Sequence, residues 1–317
     1  MQKTTRRSRM VRTRTNKRLM LTQRDLEIFR QLARYTYLRS NFLHTFVGGA
    51  SETRFKERLG DLYHQGFIDR PAKQWELANC RYVPTICELG AGGRRALLEH
   101  GLTGCEPVTF LASGAHRQFS HALMICDILA SIELATRGRD IRFISWHEIL
   151  AKAPASTRSD NRPFALSVNG DRASAPLIVI PDGLFGIEYR QGGTRTFRFF
   201  ALEVDRATMP VKRRDPYQSS FQRKLNAYQH LVAHGIHSQR WKIPNLLVLT
   251  VTVSEVQMAG MLVAARCATH AHGNFAFRVS EQHGWPSKSI APDPELLWGR
   301  WQRAALRPLC IADETSQ

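Results

Sequence analysis

The sequence predicts a protein of mixed secondary structure, α/β in its second half and α+β overall. The first half carries short amphipathic helical patterns that begin after capping residues and lead into a hairpin pattern. The second half alternates helical patterns with apolar strand patterns, which is typical of a sheet covered by helices. At 317 residues the chain is long enough for two domains.

The charge of the chain favours a polyanionic partner. Lys and Arg together number 45 against 27 Asp and Glu, which gives a formal net charge of +18 and a sequence pI near 10.3. Such a cationic excess is typical of proteins that bind nucleic acid. Residues 1–20 contain eight of these cations and no acidic residue, so we expect a flexible basic arm there. A targeting address is the open alternative for this arm.

Composition also disfavours several classes of protein. No apolar run reaches the ~20 residues of a membrane-spanning helix, so we expect no membrane partner. No signal-peptide pattern opens the chain, and the six cysteines occur without a CxxC pair, which suits reduced thiols. We therefore expect a globular protein with reduced cysteines, as in a cytosol.

Three helical patterns follow the basic arm. Thr22, Ser40 and Ser51 each precede a segment with apolar residues at helical spacing, and the third segment runs over 52–65. Side-chain oxygens at these positions accept hydrogen bonds from backbone N–H groups of the first helical turn. The three residues therefore predict three successive helix starts.

A hairpin and a closing helix come next. Strand patterns cover 67–70 and a region near 81–83, and Leu89-Gly90 opens a last helix. Three helices, a two-stranded hairpin and a closing helix are typical of a winged helix-turn-helix, which we assign to residues 21–103.

The winged helix-turn-helix predicts a set of DNA-binding residues. Its third helix would place Arg54, Lys56 and Arg58 in the major groove, while the wing would offer Arg70 and Lys73 to the phosphate backbone. The open alternative is a winged helix used only for protein contacts or for a homodimer.

Three acidic residues mark the centre of the second half. Asp182 follows an apolar strand pattern, and a hairpin turned by Gly192-Gly193 ends in Glu203 and Asp205, which period two places on one face. Carboxylates gathered near a core need a compensating cation, and oxygen ligands favour Mg²⁺ or Mn²⁺. We therefore predict a metal site. The alternative places Asp182 in a turn and the other two acids on an exposed edge.

Two helical patterns flank this hairpin and carry further candidates. Lys224 and Tyr228 lie one helical turn apart after the hairpin, so their side chains can lean the same way. His121 and Asp127 lie on an apolar helix before it, where a histidine is more often a satisfied core residue than a catalytic one. Residues 152–175 are rich in Pro, Ser, Arg and Asn and predict a surface loop.

Taken together, these segments resemble the bacterial replication-relaxation family, which occurs on plasmids and other mobile elements. The resemblance covers about residues 20–265. It rests on Leu89-Gly90, Gly93-Arg94, Leu97-Leu98, the His121 and Asp127 helix, Pro181-Asp182-Gly183, Glu203-Val204-Asp205-Arg206, and Lys224 with Tyr228.

The second half is also similar to a PD-(D/E)xK nuclease core. The resemblance implies a restriction-endonuclease-like mixed sheet over 118–270, with 271–317 as a C-terminal extension. Asp182 and Glu203 match the metal-binding acids of that superfamily, and Asp205 fills the lysine position, which departs from the pattern. Lys224 on the following helix, or Arg206, would then replace the lysine.

These resemblances leave the activity open between two classes, and a structural or partner-docking protein with weak, salt-sensitive affinity for DNA is a third. One is a DNA-binding protein that acts in replication, relaxation or mobilisation and cuts DNA with Mg²⁺ or Mn²⁺, using Asp182, Glu203, Asp205 and Lys224. The other is a non-catalytic regulator or accessory factor with a degenerate nuclease-like domain. DNA is the expected partner in both, and other replication or mobilisation proteins are further candidates.

Overall fold

The computed structural model divides the chain into two units. Unit 1 comprises Met1–Val108 with Ser289–Pro292, and unit 2 comprises Thr109–Lys288 with Asp293–Gln317. Both units combine helices and strands, which confirms the α+β class. The structure describes residues 8–13, 19–49, 51–76, 80, 82–102, 119–168, 177–207, 209–211, 220–267, 272–283 and 290–314.

Unit 1 contains helices and short strands in the order α1 (Gln23–Tyr35), β1 (Leu38–Arg39), α2 (Ser40–Val47), α3 (Glu52–His64), β2 (Ile68–Asp69), β3 (Ile86–Leu89) and α4 (Ala91–Glu99). The strands form one antiparallel sheet in the order β1-β3-β2. Thr22 caps α1 and Ser51 caps α3 as expected, since each side chain accepts a backbone N–H of the first turn. Ser40 is the first residue of α2, and Arg39 occupies the capping position.

The return strand of the hairpin lies later in the chain than expected. β3 begins at Ile86 instead of near 81–83, and a 3₁₀ helix, Ala72–Glu76, fills part of the connection. The side-chain amide of Gln74 donates to the Ile86 carbonyl and accepts from the Ile86 N–H, each at 3.0 Å. A buried side chain therefore satisfies the start of β3 as a neighbouring strand would.

Residues 8–13 of the basic arm pack against the rest of unit 1, contrary to the expectation of a flexible arm. Arg12 donates from Nε to the Tyr63 carbonyl at 2.8 Å, and Arg70 donates to the Arg9 carbonyl at 2.7 Å. Both guanidinium groups also lie over the Tyr63 ring, at 5.2 Å and 4.2 Å from its centroid. Cation–π contacts and backbone acceptors thus hold a segment that composition alone marks as flexible.

Arg58 is bound inside unit 1. Its Nε donates to Asp25 Oδ1 at 2.9 Å, and its Nη2 donates to Asp25 Oδ2 at 2.6 Å and to the Met20 carbonyl at 2.8 Å. Burial raises the pKa of Asp25, but hydrogen bonds from Arg58 and Thr22 lower it on balance. This bidentate pair joins α3 to the start of α1 and gives Arg58, which the sequence pattern places in the DNA-binding set, a structural partner within unit 1.

Unit 2 contains, in order, α5 (Phe119–Thr136), β4 (Ile141–Ile144), α6 (Trp146–Lys152), α7 (Ala155–Arg158), β5 (Leu166–Val168), β6 (Leu177–Val179), β7 (Gly183–Gln191), β8 (Thr194–Asp205), α8 (Phe221–Ala233), α9 (Ile236–Trp241), β9 (Leu247–Thr252), α10 (Glu255–Arg266), β10 (Phe275–Val279), α11 (Glu295–Trp298), β11 (Arg300–Trp301) and β12 (Leu309–Cys310).

A five-stranded mixed sheet forms the centre of unit 2, in the order β10-β9-β8-β7-β4. β7 and β8 form the expected antiparallel hairpin, and β8, β9 and β10 run parallel to one another. Gly192 and Gly193 turn the hairpin at φ values of 54° and 82°, a region that glycine enters without steric cost. The hairpin and its turn are therefore confirmed.

Two parts of unit 2 differ from the expectation. Residues 152–175, expected to be a loop, contain α7 and also β5, which pairs with β6 in a separate antiparallel sheet. Residues 271–317, expected to be an extension, contribute β10, whose Phe275 lies opposite Val248. The β9–β10 pairing is parallel and spans the helix α10, so no local pattern in either strand predicts it.

The apolar helix α5 covers part of this sheet. Among the described residues it is the one helix long and apolar enough to cross a membrane, with 18 residues and a mean hydropathy of 1.4. Of these residues 61% are buried inside the protein, and the helix packs on β4, β8 and α11. A buried core helix meets the same criteria of length and composition.

The Asp25–Arg58 pair predicts a measurable contribution to stability. In Arg58→Ala the Asp25 carboxylate, which is 1% exposed, loses both hydrogen bonds from the guanidinium group. We therefore expect the free energy of unfolding to fall by about 1–3 kcal/mol. Urea unfolding monitored by circular dichroism measures this change. Arg54→Ala on the exposed side of the same helix is the control, with an expected change within about 0.5 kcal/mol. Equal effects of the two variants would contradict a structural role for Arg58.

Candidate functional site

Asp182 lies between β6 and β7, where the chain enters the hairpin. Its backbone N–H donates to the Leu202 carbonyl at 2.9 Å, and its Oδ2 accepts the Val204 N–H at 2.8 Å. The residue is 5% exposed. Asp182 is therefore a buried carboxylate fixed beside Glu203, and its charge helps to raise the pKa of that residue.

Glu203 forms the centre of a buried polar cluster. Its Oε2 lies 2.5 Å from Lys224 Nζ, and its Oε1 accepts the Tyr228 hydroxyl at 2.6 Å. Lys224 and Tyr228 lie on α8, one turn apart as the sequence predicted. The Glu203 side chain is 7% exposed and that of Lys224 is 35% exposed, so the ion pair extends from the sheet toward solvent.

Burial dominates the protonation of Glu203. Desolvation raises its pKa most, and the nearby Asp182 charge raises it further, while Lys224 and Tyr228 offset only part of this. The ionised form of Glu203 therefore depends on the Lys224 ammonium and the Tyr228 hydroxyl. The cluster as it stands is a carboxylate whose two oxygens are both occupied by donors.

His121 joins this cluster from α5. Its Nε2 lies 2.9 Å from the Val204 carbonyl and 3.4 Å from Asp182 Oδ2. A carbonyl oxygen can only accept a hydrogen bond, so this nitrogen carries a proton. His121 is thus a hydrogen-bond donor at the point where Asp182 meets β8.

Asp127 does not join His121, although the two residues lie on one helix. Its Oδ2 lies 3.3 Å from His283 Nε2, and His283 Nδ1 lies 2.8 Å from the Ser280 hydroxyl. His283 was not predicted from the sequence, and it is 156 positions from Asp127. Asp127 therefore ties α5 to the segment after β10 and stands apart from the candidate site.

Asp205 is also directed elsewhere. Its Oδ2 accepts from Gln257 Nε2 at 3.0 Å, and the same nitrogen donates to the Met209 carbonyl at 2.6 Å. Gln257 lies on α10. Asp205 thus contacts α10, whereas Glu203 contacts α8. Arg206 directly follows β8 and is partly exposed.

Two threonines on β9 adjoin these acids and were not predicted from the sequence. Thr250 is the register partner of Glu203, and Thr252 is the register partner of Asp205. Both residues are 1% exposed, and neither hydroxyl has a hydrogen-bond partner among the described residues. The alternation of Thr with apolar residues in this strand was the available signal. Two buried hydroxyls therefore border the acidic side of the sheet.

The three predicted metal ligands do not fit Mg²⁺ or Mn²⁺ as they are arranged. Lys224 and Tyr228 occupy both oxygens of Glu203, and Asp205 is bound to Gln257. Within the described part of the chain, no group of three His, Cys, Asp or Glu side chains is placed to hold a metal ion. Hard cations of this kind take several oxygen ligands. The geometry is that of an acid–lysine cluster.

The predicted DNA-binding residues of unit 1 separate into two groups. Arg58 and Arg70 are used in contacts within the unit, as described above. Arg54, Lys56 and Lys73 are exposed, and Lys56 forms a surface pair with Glu52 on α3. Such exposed pairs contribute little to stability, so Lys56 can exchange its partner at low cost.

The fold and the site define a basic two-unit α+β protein whose mixed sheet carries a buried acid–lysine cluster. The chain belongs to the replication-relaxation family, whose model matches residues 29–246, more than half of the chain. This match confirms the resemblance inferred from the sequence. Searches of curated proteins and of solved structures found no significant match.

Tyr228 offers a direct test of the buried cluster. Tyr228→Phe removes the hydroxyl that donates to Glu203 Oε1, so this buried oxygen loses that hydrogen bond. We therefore expect the free energy of unfolding to fall by about 1–3 kcal/mol. Tyr82→Phe is the matched control, because Tyr82 is 90% exposed. Denaturant unfolding of both variants measures the difference, and equal stability would show that the phenol does not support Glu203.

Proposed function

We propose that this protein binds duplex DNA through unit 1 and acts in the replication or relaxation of a plasmid or another mobile element. The family match supports the process. The observation that carries the DNA-binding part is that α3, the helix before the wing, exposes Arg54 and Lys56 near its N-terminus. Such a factor would act in the bacterial cytoplasm.

The arrangement of unit 1 supports a winged helix. Its order of helix, strand, helix, helix, strand and strand, with a three-stranded sheet β1-β3-β2, is that of winged helix-turn-helix modules. In such modules the helix before the wing enters the major groove with its N-terminal residues nearest the bases. Arg54 is the third residue of α3 and Lys56 the fifth. Lys73, on the connection between β2 and β3, would meet the backbone.

The net charge of the chain supports the same partner. A charge of +18 attracts a polyanion over a distance set by the ionic strength. Contacts between lysine and phosphate release condensed counterions, which makes their number measurable from the dependence of affinity on salt. The salt dependence of variants at Arg54 and Lys56 therefore shows which of the two side chains contacts phosphate.

Substitutions on α3 test this proposal. Lys56→Ala should weaken binding to all duplexes equally and reduce the slope of log affinity against log salt concentration by about 1. Arg54→Ala should reduce the discrimination between base pairs at one position of the site by about 1–3 kcal/mol. Fluorescence anisotropy with duplexes selected from a random pool measures both. Arg307→Ala, which removes an exposed charge from unit 2, is the control. If both α3 variants match the control, the proposed DNA-binding face is wrong.

Metal-dependent DNA cleavage is a second candidate function. The observation that favours it is the grouping of Asp182, Glu203 and Lys224, which the resemblance to PD-(D/E)xK nucleases anticipates. In the arrangement described here, a divalent cation at Glu203 would have to displace Lys224 and Tyr228. We therefore favour a DNA-binding factor in which the cluster supports the fold.

Incubation with supercoiled plasmid separates the two candidates. We expect the plasmid to stay intact with Mg²⁺ or Mn²⁺, and Glu203→Gln to retain the duplex affinity of the parent chain. Gel electrophoresis over time and a binding titration give the two readouts. Nicking that disappears in Glu203→Gln and Lys224→Met, with binding unchanged, would establish cleavage and overturn our preference.

A further inference from the structure

A cavity of about 340 Å³ lies in unit 2, beside the end of α5 and the edge strand β4. Four arginines line it, namely Arg137, Arg139, Arg142 and Arg190, together with Glu133. We call it the arginine cavity. It is separate from the Glu203 cluster, which is bounded by α5, β8 and α8. Neither the family match nor the proposed function of unit 1 assigns it a role.

Two of these arginines are held in place by buried or half-buried acids. Arg142 donates to Glu188 at 2.8 Å and to Glu148 at 2.6 Å, and Arg190 donates to Glu188 at 2.8 Å. Hydrogen bonds from Arg190 and Arg142 lower the pKa of Glu188 to about 2, so these ion pairs persist at neutral pH. Both guanidinium groups are therefore held beside the cavity by ion pairs with these acids.

The held arginines keep donor capacity and excess charge. A guanidinium has five N–H groups, and the contacts with the two acids use two nitrogens of Arg142 and one of Arg190. The cavity lining contains four arginines and one acidic residue, Glu133, and the acids that bind Arg142 and Arg190 lie outside the lining, so the lining keeps an excess of positive charge. One phosphodiester carries one negative charge, and guanidinium groups match its geometry.

A partly exposed aromatic residue contacts one arginine of the cavity lining. The Trp298 side chain is 41% exposed, and the Arg139 guanidinium lies 5.3 Å from its ring centroid. Trp298 Nε1 donates to the Ala135 carbonyl at 3.3 Å, which ties the indole to the end of α5. A large apolar ring with open surface beside clustered arginines is typical of a site that stacks a base next to a bound phosphate.

We propose that the arginine cavity and Trp298 form a binding site for single-stranded DNA. One phosphodiester occupies the cavity, and an adjoining base stacks on the indole. Single strands expose the faces of their bases, whereas a duplex hides them in its stack, so this site discriminates against duplex. Stacking uses the π-face that every base has, so the site tolerates any sequence.

Photo-crosslinking on the full chain tests the site directly. The probe is a single-stranded thymidine 12-mer that carries one 5-iododeoxyuridine, and mass spectrometry of the irradiated complex identifies the crosslinked residue. We expect the crosslink at Trp298. A crosslink confined to unit 1 would overturn the proposal. Binding of inorganic phosphate to the cavity arginines without any crosslink of the 12-mer at Trp298 would also overturn it.

Affinity measurements give a second readout that distinguishes this site from unit 1. Trp298→Ala should weaken binding of the single-stranded 12-mer about tenfold, and Trp298→Phe should retain most of it. Arg137→Ala should weaken it several-fold, while Arg307→Ala, a matched loss of charge in the same unit, should not. Duplex affinity should stay unchanged in all four variants, and circular dichroism shows that each is folded. Equal losses for single strands and duplex would contradict a separate site.

Discussion

Burial of Glu203 is the constraint on which the centre of unit 2 depends. A carboxylate that leaves water loses several kcal/mol of hydration unless donors replace it, and here Lys224 and Tyr228 provide those donors from α8. The cluster therefore fixes the rotation of α8 against β8, since neither donor can turn away without leaving a buried charge. Asp182 is bound in the same way through the Val204 N–H. The hairpin, the helix and the acids thus form one mutually dependent arrangement.

The same arrangement does not by itself indicate a catalytic activity. Asp182 and Glu203, whose resemblance to nuclease acids was inferred from the sequence, lie close together, yet they accept hydrogen bonds from the protein itself. An acid–lysine pair in a buried sheet can support either hydrolysis or a stable core, and the fold alone does not decide between them. In unit 1 the same distinction holds for arginine, since Arg58 and Arg70 stabilise the unit whereas Arg54 stays exposed.

Local signals predicted the parts of the fold that local chemistry determines. The turn at Gly192 and Gly193 needed positive φ, and the four-residue spacing of Lys224 and Tyr228 was enough to predict that they share one helix face. Contacts between distant segments were not predictable in this way. The Asp127 partner lies 156 positions away, and Asp25 and Arg58 are 33 positions apart.

Two features of the fold were missed because a polar side chain lies where the sequence pattern suggested a different group. Gln74 satisfies the first residue of β3 with a side-chain amide, so the strand does not start where the hairpin pattern suggested. The Thr250 and Thr252 hydroxyls lie within an apolar strand, and the Leu and Val residues around them are typical of a core strand without polar groups. The sequence shows Gln74 but not the Ile86 backbone groups that it contacts, and it shows the two threonines but not that Glu203 and Asp205 are their register partners.

The late position of β10 in the chain has a consequence for biosynthesis. β9 pairs with β8 on one side and with β10 on the other, and β10 begins only at Phe275. Until that segment has been synthesised, one edge of β9 has backbone N–H and C=O groups without strand partners. Such an exposed apolar edge is prone to intermolecular association. The nascent chain therefore exposes an apolar sheet edge from the time β9 forms until β10 has been synthesised.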